Sequence, residues 1–345
     1  MIEEISSTML DPAAFHRSLL TLDSHIDIPW PESKDPFTES ERAVDFPKMR
    51  RGGLWAGCFA AYVPQTLRTP ENREQAVARA EAMLQAIHSM GRTQDGIRVR
   101  VTARAADVEA AWREGVIAVI PVIENGHALG GDPGNLAHFR KLGVCYLTLT
   151  HNGHNDLADS AIPKRELGDG EAEHGGLSPL GRTVIAEMNR LGIIVDVSHA
   201  AKTTMMQAAE LSRSPVIASH SGVRAICDHP RNLDDEQLDL LRDRDGLIQI
   251  TAMPAFLRPQ GKMETVGVAD LVDHIDYAVR RIGIRHVGIS SDFDGGGGIK
   301  GWSNAAETPN ITAELLARGY GQNEIRALWG GNFLRVLRRA EELAG

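Results

Sequence analysis

The sequence is poor in several features that define common protein classes. It has three cysteines, Cys58, Cys145 and Cys227, which lie far apart and form no C-x-x-C pair, so we expect no disulfide framework. No apolar run approaches the roughly 18 residues that a membrane span requires. The formal net charge is −9, which argues against a nucleic-acid partner because phosphate binding needs a basic patch.

The two ends of the chain also lack targeting signals. The first ten residues, MIEEISSTML, are acidic without an apolar core, and the final residues, LRRAEELAG, carry no lipid-anchor signal. We therefore predict a cytoplasmic protein without a membrane partner.

With 42% hydrophobic and 24% charged residues, the 345-residue chain is typical of a globular protein with a large core. No linker or repeat is evident, so we predict one domain over residues 1–345.

Apolar, β-rich runs recur along the chain, and most are followed by a stretch with helical periodicity. This alternation is typical of parallel strands that are buried on both faces and joined by helices. We predict eight strands, at 21–27, 54–63, 116–124, 144–150, 192–198, 215–219, 246–252 and 286–291. Amphipathic stretches predict helices between them, for example at 71–90, 178–192 and 270–283.

Eight strand–helix units favour an α/β protein with a (β/α)8 TIM barrel, and a doubly wound open sheet is the alternative. Polar insertions follow the first and fourth predicted strands, at 28–53 and 151–177. The loops after the strands form the active-site face of such a barrel. We therefore expect the chemistry of this protein to lie at that face.

Histidines and carboxylates follow the C-terminal ends of most predicted strands. The first strand ends in His25-Ile-Asp27, whose two polar side chains share a face because residues two apart on a strand point the same way. The later strands end in Glu124, His151, His199, His220 and Asp292. Barrel closure would bring these ends around one mouth. Imidazoles and carboxylates are the usual ligands of zinc and related divalent ions, so the pattern predicts a metal site.

Five of these residues exceed what one catalytic zinc needs and suit two ions that share a bridging carboxylate: His25, Asp27, Glu124, His199 and His220. Each also has a simpler interpretation. Glu124 could be the first residue of a loop, and His199 and His220 could be hydrogen-bonded core histidines. Asp292 could begin a glycine-rich turn, DFDGGGG, which lacks the spacing of a phosphate-binding loop. Repetition at matching strand ends favours the metal site.

The other histidines show no such preference for strand ends. They fall mostly on predicted helices or in loops, and we predict that most of them are solvated. His127 and His154 are the two that could lie near the site.

The motifs, in their order along the chain, resemble those of the membrane (renal) dipeptidases and their bacterial relatives. This family of zinc metallopeptidases belongs to the amidohydrolase-like, metal-dependent barrels. DSHIDIPW is similar to the family's D-x-H-x-D-x-P-W opening, and IENGHAL to its glutamate-bearing third strand. Its later blocks are matched by YLTLTHN with NDLAD, GLSPLGRTVIAEMNRLGIIVDVSH, SHSGVRAICDHPRNLDD and HVGISSDFDG.

The resemblance implies a barrel with two zinc ions per chain. It assigns His25 and Asp27 to one zinc, His199 and His220 to the other, and Glu124 to a bridge between them. Because Glu124 can bridge unaided, the carbamylated lysine of many related barrels is not needed. Other divalent ions would also suit this ligand set.

The resemblance further implies that His151 and Arg231 contact the substrate and that Asp292 is the acid–base group. The expected reaction is hydrolysis of dipeptides by a metal-bridging hydroxide, since zinc lowers the pKa of bound water to about 7. Asp292 would pass the proton of this hydroxide to the leaving amine, and His151 would steady the oxyanion. Arg231 offers a planar fork that matches a dipeptide's terminal carboxylate.

Two features depart from the family's eukaryotic pattern. The chain shows no secretion or lipid-anchor signal, and the segment between LTLTHN and LSPLG is longer and more charged than in the mammalian pattern. We expect that loop to shape the substrate mouth.

One alternative function is a binuclear amidohydrolase acting on N-acyl amino acids, lactams or lactones. The other is a binding protein on an inactive barrel, which would have lost a ligand, and no ligand is missing. The family also suggests a homo-oligomer.

Overall fold

The structure, a computed structural model, describes residues 11–30 and 34–345. The segment MIEEISSTML, where we predict no secretion signal, lies outside the described residues, as do residues 31–33 of the first insertion. The strands are β1 (Leu22–Asp27), β2 (Ala56–Tyr62), β3 (Thr93–Gln94), β4 (Ile97–Val101), β5 (Ile117–Glu124), β6 (Tyr146–Thr148), β7 (Ile194–Asp196), β8 (Ile217–Ser221), β9 (Leu247–Thr251) and β10 (Val287–Ser290). The helices are α1 (Pro12–Arg17), α2 (Phe46–Gly52), α3 (Pro70–Ser89), α4 (Ala105–Arg113), α5 (Asn135–Lys141), α6 (Pro179–Leu191), α7 (Lys202–Leu211), α8 (Asp235–Asp243), α9 (Pro254–Leu257), α10 (Val268–Ile282), α11 (Pro309–Ala317), α12 (Gln322–Arg326) and α13 (Asn332–Glu342).

Eight parallel strands form a nearly closed barrel in the order β1-β2-β5-β6-β7-β8-β9-β10. The first and last strands meet at their C-terminal ends, where the amide of Asp27 donates to the carbonyl of Phe293 at 3.0 Å. The amide of Asp292 donates to the carbonyl of His25 at 3.2 Å. The predicted TIM barrel is therefore confirmed over the open sheet. Closure places Asp292 directly beside His25 and Asp27.

Every predicted strand overlaps one barrel strand, but the prediction omitted the two-residue β3 and its antiparallel partner β4. This strand pairs in parallel with the start of β5, with Val99 beside Ile117, whereas the end of β5 pairs with β6, with Ile123 beside Leu147. Its sequence, IRVRV, alternates apolar and charged residues, which is typical of a half-exposed strand. β4 lies at the N-terminal end of the barrel, opposite to the mouth.

Helix α6 shows how the local sequence determines an element's boundaries. The Ser178 side chain accepts a hydrogen bond from the Gly181 amide, and Pro179 occupies the first turn. Gly192 ends the helix at φ 68°, a left-handed conformation that glycine adopts without strain.

None of the helices within residues 11–30 and 34–345 combines the length and apolar character needed to cross a membrane.

The two predicted insertions fold back over the barrel mouth, each anchored by a carboxylate. After β1, the amides of Ala43 and Val44 donate to the carboxylate of Asp294, at 2.9 and 3.1 Å. After β6, the buried carboxylate of Asp159 accepts from the backbone amides of residues 173, 174 and 176. These contacts fix the polar walls that surround the strand ends.

Candidate metal centre and substrate cavity

The residues predicted from the strand ends converge at the C-terminal mouth of the barrel. A cavity of about 510 Å³ opens there, and its lining includes Asp27, Glu124, His151, His199, Arg231 and Asp292. His25 and His220 lie behind the lining, where their rings are stacked with centroids 4.0 Å apart. The structure therefore brings all eight residues together.

Glu124, the last residue of β5, is the common element of the cluster. Its Oε1 lies 3.1 Å from Nε2 of His199 and 3.4 Å from Nε2 of His220. Its Oε2 lies 3.6 Å from Nε2 of His25. Burial alone would raise the pKa of Glu124, but the charge of His25 outweighs this effect and holds it well below its usual range. The carboxylate is therefore available as an ionised ligand.

The two histidines beside Oε1 are poised as neutral ligands. Burial lowers the pKa of His199 and of His220 well below the usual value, and the charge of Arg231 adds to this effect. Their Nε2 atoms are only 3.0 Å apart. Metal binding requires an unprotonated imidazole nitrogen. Two such nitrogens so close to one carboxylate oxygen are best satisfied by a cation that all three atoms contact.

A second group of candidate ligands is formed at the junction of β1 and β10. Ligand atoms of His25, Asp27 and Asp292 all lie within 4.8 Å of one another. Burial lowers the pKa of His25, but the charges of Glu124 and of the two aspartates outweigh this and raise it to about 10. This shift reflects how strongly the three carboxylates favour a positive charge at this point. A metal cation can supply that charge in place of a proton.

The donor set fits a divalent metal centre. Among the described residues there are three overlapping groups of candidate ligands: His25, Glu124 and His220; Glu124, His151 and His199; and His25, Asp27 and Asp292. Nε2 of His25 is buried and has no hydrogen-bond partner among the described residues, which is rare for a buried polar atom. Imidazole nitrogens and carboxylate oxygens are the donors that zinc prefers. The assignment of each residue to one particular ion stays a prediction.

Two of the predicted site residues that line the cavity have strained backbones. His199 has φ 66° and Asp292 has φ 58°, in the left-handed region that non-glycine residues rarely adopt. Such strain persists only where the surrounding structure enforces it, and it is concentrated at functional sites. The barrel therefore holds both side chains towards the cavity at a local conformational cost.

Asp292 and Asp294 differ sharply in their surroundings. Burial raises the pKa of Asp292 to about 7, although the charge of His25 opposes this rise. The carboxylate of Asp294 accepts hydrogen bonds from backbone amides of the first insertion, and its Oδ2 also lies 3.1 Å from Nη2 of Arg42. The carboxylate of Asp294 is therefore occupied by contacts with the first insertion, and Asp292 is the better candidate for proton transfer.

Arg231 supplies a buried positive charge to the wall of the cavity. Its Nη2 donates to the carbonyl of His220 at 3.2 Å, and its guanidinium lies 5.0 Å from the ring centroid of Phe256. Its Nε has no partner in the part of the chain that the structure describes. Burial lowers the pKa of Arg231 to about 10, so the group stays charged at neutral pH. A planar, partly unpaired guanidinium is suited to a carboxylate ligand.

His151 has a partly exposed side chain between Glu124 and the aromatic ring of Tyr62. Its Nε2 lies 3.9 Å from Oε1 of Glu124, and its ring centroid lies 4.8 Å from that of Tyr62. Burial lowers the pKa of His151 to about 4, so the imidazole is neutral at physiological pH. A neutral imidazole can donate a hydrogen bond into the cavity.

The sequence prediction missed much of the cavity wall. The additional lining residues are Tyr62, Asn152, Ile162, His229, Met253, Phe256, Asp294 and Gly295. Most of them lie on loops after strands, where hydrophobic periodicity carries no signal. Ile162 belongs to the second insertion, so at least part of that loop shapes the mouth as expected.

The prediction that most of the other histidines are solvated is wrong. Five of them are buried: His16, His127, His154, His274 and His286. They act as structural hydrogen-bonding groups, as His274 illustrates. Its Nδ1 accepts from the amide of Val223 at 2.9 Å, and its Nε2 donates to the carbonyl of Leu257 at 3.0 Å. The sequence alone does not show which two loops a buried histidine ring connects through its hydrogen bonds.

Comparison with known proteins agrees with this geometry. The family described as membrane dipeptidase (Peptidase family M19) matches residues 12–345. The chain is 37% identical to dipeptidase aclJ of Aspergillus oryzae over 307 residues, which are 87% of this chain and 71% of the relative. It is 32% identical to dipeptidase verJ of Clonostachys rogersoniana, over 94% of this chain and 84% of the relative.

Solved structures show the same likeness. The probable dipeptidase PvdM from Pseudomonas aeruginosa superposes with a TM-score of 0.91 at 31% identity, covering 96% of this chain and 98% of the other. A metallopeptidase from Rhodobacter sphaeroides, liganded with a phosphinate mimic of the dipeptide L-Ala-D-Ala, has a TM-score of 0.82 at 27% identity, with coverages of 93% and 99%. The chain therefore belongs to the membrane dipeptidase family, peptidase family M19, and is a peptide-bond hydrolase.

Proposed function

We propose that this enzyme is a binuclear zinc dipeptidase that cleaves dipeptides with a free C-terminal carboxylate. One observation carries the proposal: Glu124 is shared between two groups of candidate ligands in the same cavity that contains the buried Arg231. The dipeptide mimic bound to the Rhodobacter sphaeroides relative supports a substrate of this class. Membership of a metallopeptidase family supports the dependence on metal.

In this proposal His25 and Asp27 would hold one ion and His199 and His220 would hold the other, and the carboxylate of Glu124 would be available to both. The bound ions would supply an activated water as nucleophile at neutral pH and would polarise the scissile carbonyl. The residues of this chain provide the rest of the chemistry.

Asp292 is proposed to move the proton. Its carboxyl group faces the cavity beside His25 and Asp27, where a carboxylate can accept and donate a proton as a general acid–base group. It would accept a proton from the attacking water and deliver it to the leaving amine.

His151 and Arg231 are proposed to orient the substrate. The neutral imidazole of His151 would donate a hydrogen bond to the developing oxyanion. The guanidinium of Arg231 would pair with the terminal carboxylate in a bidentate manner. The Phe256 ring lies beside the guanidinium, with its centroid 5.0 Å from the guanidinium carbon. Together these contacts would place the scissile bond beside Glu124.

A substrate panel tests this function. Zinc-loaded protein is assayed with L,L and L,D dipeptides, the corresponding dipeptide amides, N-acyl amino acids, a lactam and a lactone. We expect free dipeptides to be hydrolysed with the highest kcat/KM. Faster turnover of an N-acyl amino acid, lactam or lactone than of every dipeptide would instead support the broader amidohydrolase function.

A further inference from the structure

A fully buried carboxylate lies beneath the candidate metal centre and is not accounted for by the proposed reaction. Asp196, the last residue of β7, is 0% exposed. Its Oδ1 accepts the backbone amides of Ser219 at 2.9 Å and Ser198 at 3.1 Å. Its Oδ2 accepts the hydroxyls of Thr148 and Ser219, both at 2.6 Å. All of its partners are donors, so the carboxylate is fully satisfied.

The Ser219 hydroxyl connects this carboxylate to His220. A serine hydroxyl has a single proton, and that of Ser219 is donated to Oδ2 of Asp196. The Ser219 oxygen therefore faces Nδ1 of His220, 2.8 Å away, as an acceptor. His220 must then carry its proton on Nδ1. Its Nε2 is left as a free lone pair directed at Glu124.

Tyr146 holds His25 in an equivalent way. This tyrosine is fully buried, and its hydroxyl donates to the carbonyl of Ser24 at 2.8 Å. Nδ1 of His25 lies 2.8 Å from the same hydroxyl oxygen and must donate to it. Nδ1 is therefore occupied, and Nε2 faces Glu124 and Asp27.

We propose that the Asp196–Ser219 pair and Tyr146 are positioning residues, each of which sets the protonation pattern of one metal-binding histidine. The pair acts on His220 and Tyr146 acts on His25, so each of the two ions has its own anchor. The inference rests on the proposed metal centre. Partners that orient a ligating histidine typically contribute 10–100-fold to metal affinity.

Asp196→Asn provides the sharpest perturbation. The amides of Ser219 and Ser198 cannot reorient, so the carboxamide oxygen must stay at the Oδ1 position. The amide NH₂ then faces the hydroxyls of Thr148 and Ser219. Ser219 then accepts from the carboxamide, and Nδ1 of His220 is the nearer acceptor for its hydroxyl proton, at 2.8 Å against 3.4 Å for the Ser198 hydroxyl oxygen. The proton of His220 moves to Nε2, which blocks it as a ligand.

Metal titration against a chromophoric chelator tests the two anchors separately. We expect Ser219→Ala to weaken one of two dissociation constants by roughly 10–100-fold, and Tyr146→Phe to weaken the other by a similar factor. Asp196→Asn should weaken the same constant as Ser219→Ala, and by more. Thr148→Val is the matched control, because it removes a hydrogen bond to Asp196 without contacting a histidine. Both constants should be unchanged in this variant.

Three results would overturn the inference. Ser219→Ala could retain both wild-type constants, the two anchor variants could weaken the same constant, or Thr148→Val could weaken binding as much as Ser219→Ala. The last result would show a general packing effect. If Asp196→Asn does not fold, Ser219→Ala and Tyr146→Phe still decide the question.

A second readout does not depend on metal. Long-range ¹H–¹⁵N NMR of the metal-free protein identifies which nitrogen of His220 carries the proton. We expect Nδ1 in the wild type and Nε2 in Asp196→Asn, and retention of Nδ1 in the variant would refute the relay. A wild-type protein that binds no metal would refute the proposed metal centre, and the NMR result would still decide the relay.

Discussion

Replacing Arg231 with alanine should abolish recognition of the substrate's terminal carboxylate. Arg231 is 5% exposed, and its guanidinium donates to a single protein acceptor, the carbonyl of His220, among the hydrogen bonds of the described residues. Most of its donors are therefore available to a ligand. Removing one partner of a buried, charge-assisted pair costs about 2–5 kcal/mol. At about 1.4 kcal/mol per decade, kcat/KM for a free dipeptide should fall roughly 30- to several-thousand-fold.

The assay compares a free dipeptide with its C-terminal amide. The amide lacks the carboxylate, so it should be a poor substrate for the wild type and should be little affected by Arg231→Ala. Arg231→Lys should recover only part of the activity, because an ammonium group cannot reproduce the planar fork. Arg224→Ala is a matched control, since Arg224 lies on the same loop but is exposed and paired with Asp228. This variant should retain wild-type kcat/KM.

Equal turnover of the amide and the free acid by the wild type would refute carboxylate recognition. It would also favour the amidohydrolase alternative over the dipeptidase. A loss that is the same for both substrates in Arg231→Ala would show instead that the variant disturbs the site through His220.

Three further outcomes are expected. Asp292→Asn should lower kcat by 10²–10⁴-fold while the bound metal is retained, measured by steady-state kinetics with elemental analysis; near-normal turnover would show that another group moves the proton. His199→Ala should lose one ion and nearly all activity, and an active variant with its full metal content would contradict the ligand assignment. Zinc at about 1,000 times its dissociation constant should stabilise the metal-free protein by about 4 kcal/mol per site, seen as a higher melting temperature; no change would contradict binding at the folded cluster.

Much of the barrel could be predicted because its strands are buried on both faces and read as continuous apolar runs. β4 was missed because its alternating IRVRV pattern does not follow that rule. The choice between a barrel and an open sheet could not be made from periodicity. It depends on whether the ends of β1 and β10 meet. They meet through a hydrogen bond between residues 27 and 293, which lie far apart in the sequence.

The strand-end residues could also be predicted, since barrel topology alone brings them to one mouth. Their supporting residues were not identified. Asp196 lies within the apolar segment IIVDVSH, and a charged residue in such a strand is a signal that could have been used. Ser219 and Tyr146 give no comparable signal, because neither side chain carries a charge that would be unusual in a buried strand. Their roles depend on which side chains face each other inside the barrel.

The cavity wall was the least predictable part. Tyr62 ends a strand, whereas His229 and Phe256 come from two different segments after β8 and β9. These residues are brought together by the conformations of the loops, which depend on many local hydrogen bonds. The same reason explains the wrong prediction for the buried histidines.

The central claim is that Glu124 lies between two metal ions. Anomalous X-ray diffraction from crystals of fully active, zinc-loaded protein, combined with elemental analysis of the same preparation, tests it most directly. We predict two ions per chain, about 3.5–4 Å apart, with the carboxylate of Glu124 in contact with both. A single ion in fully active enzyme, or two ions of which neither contacts Glu124, would contradict the account.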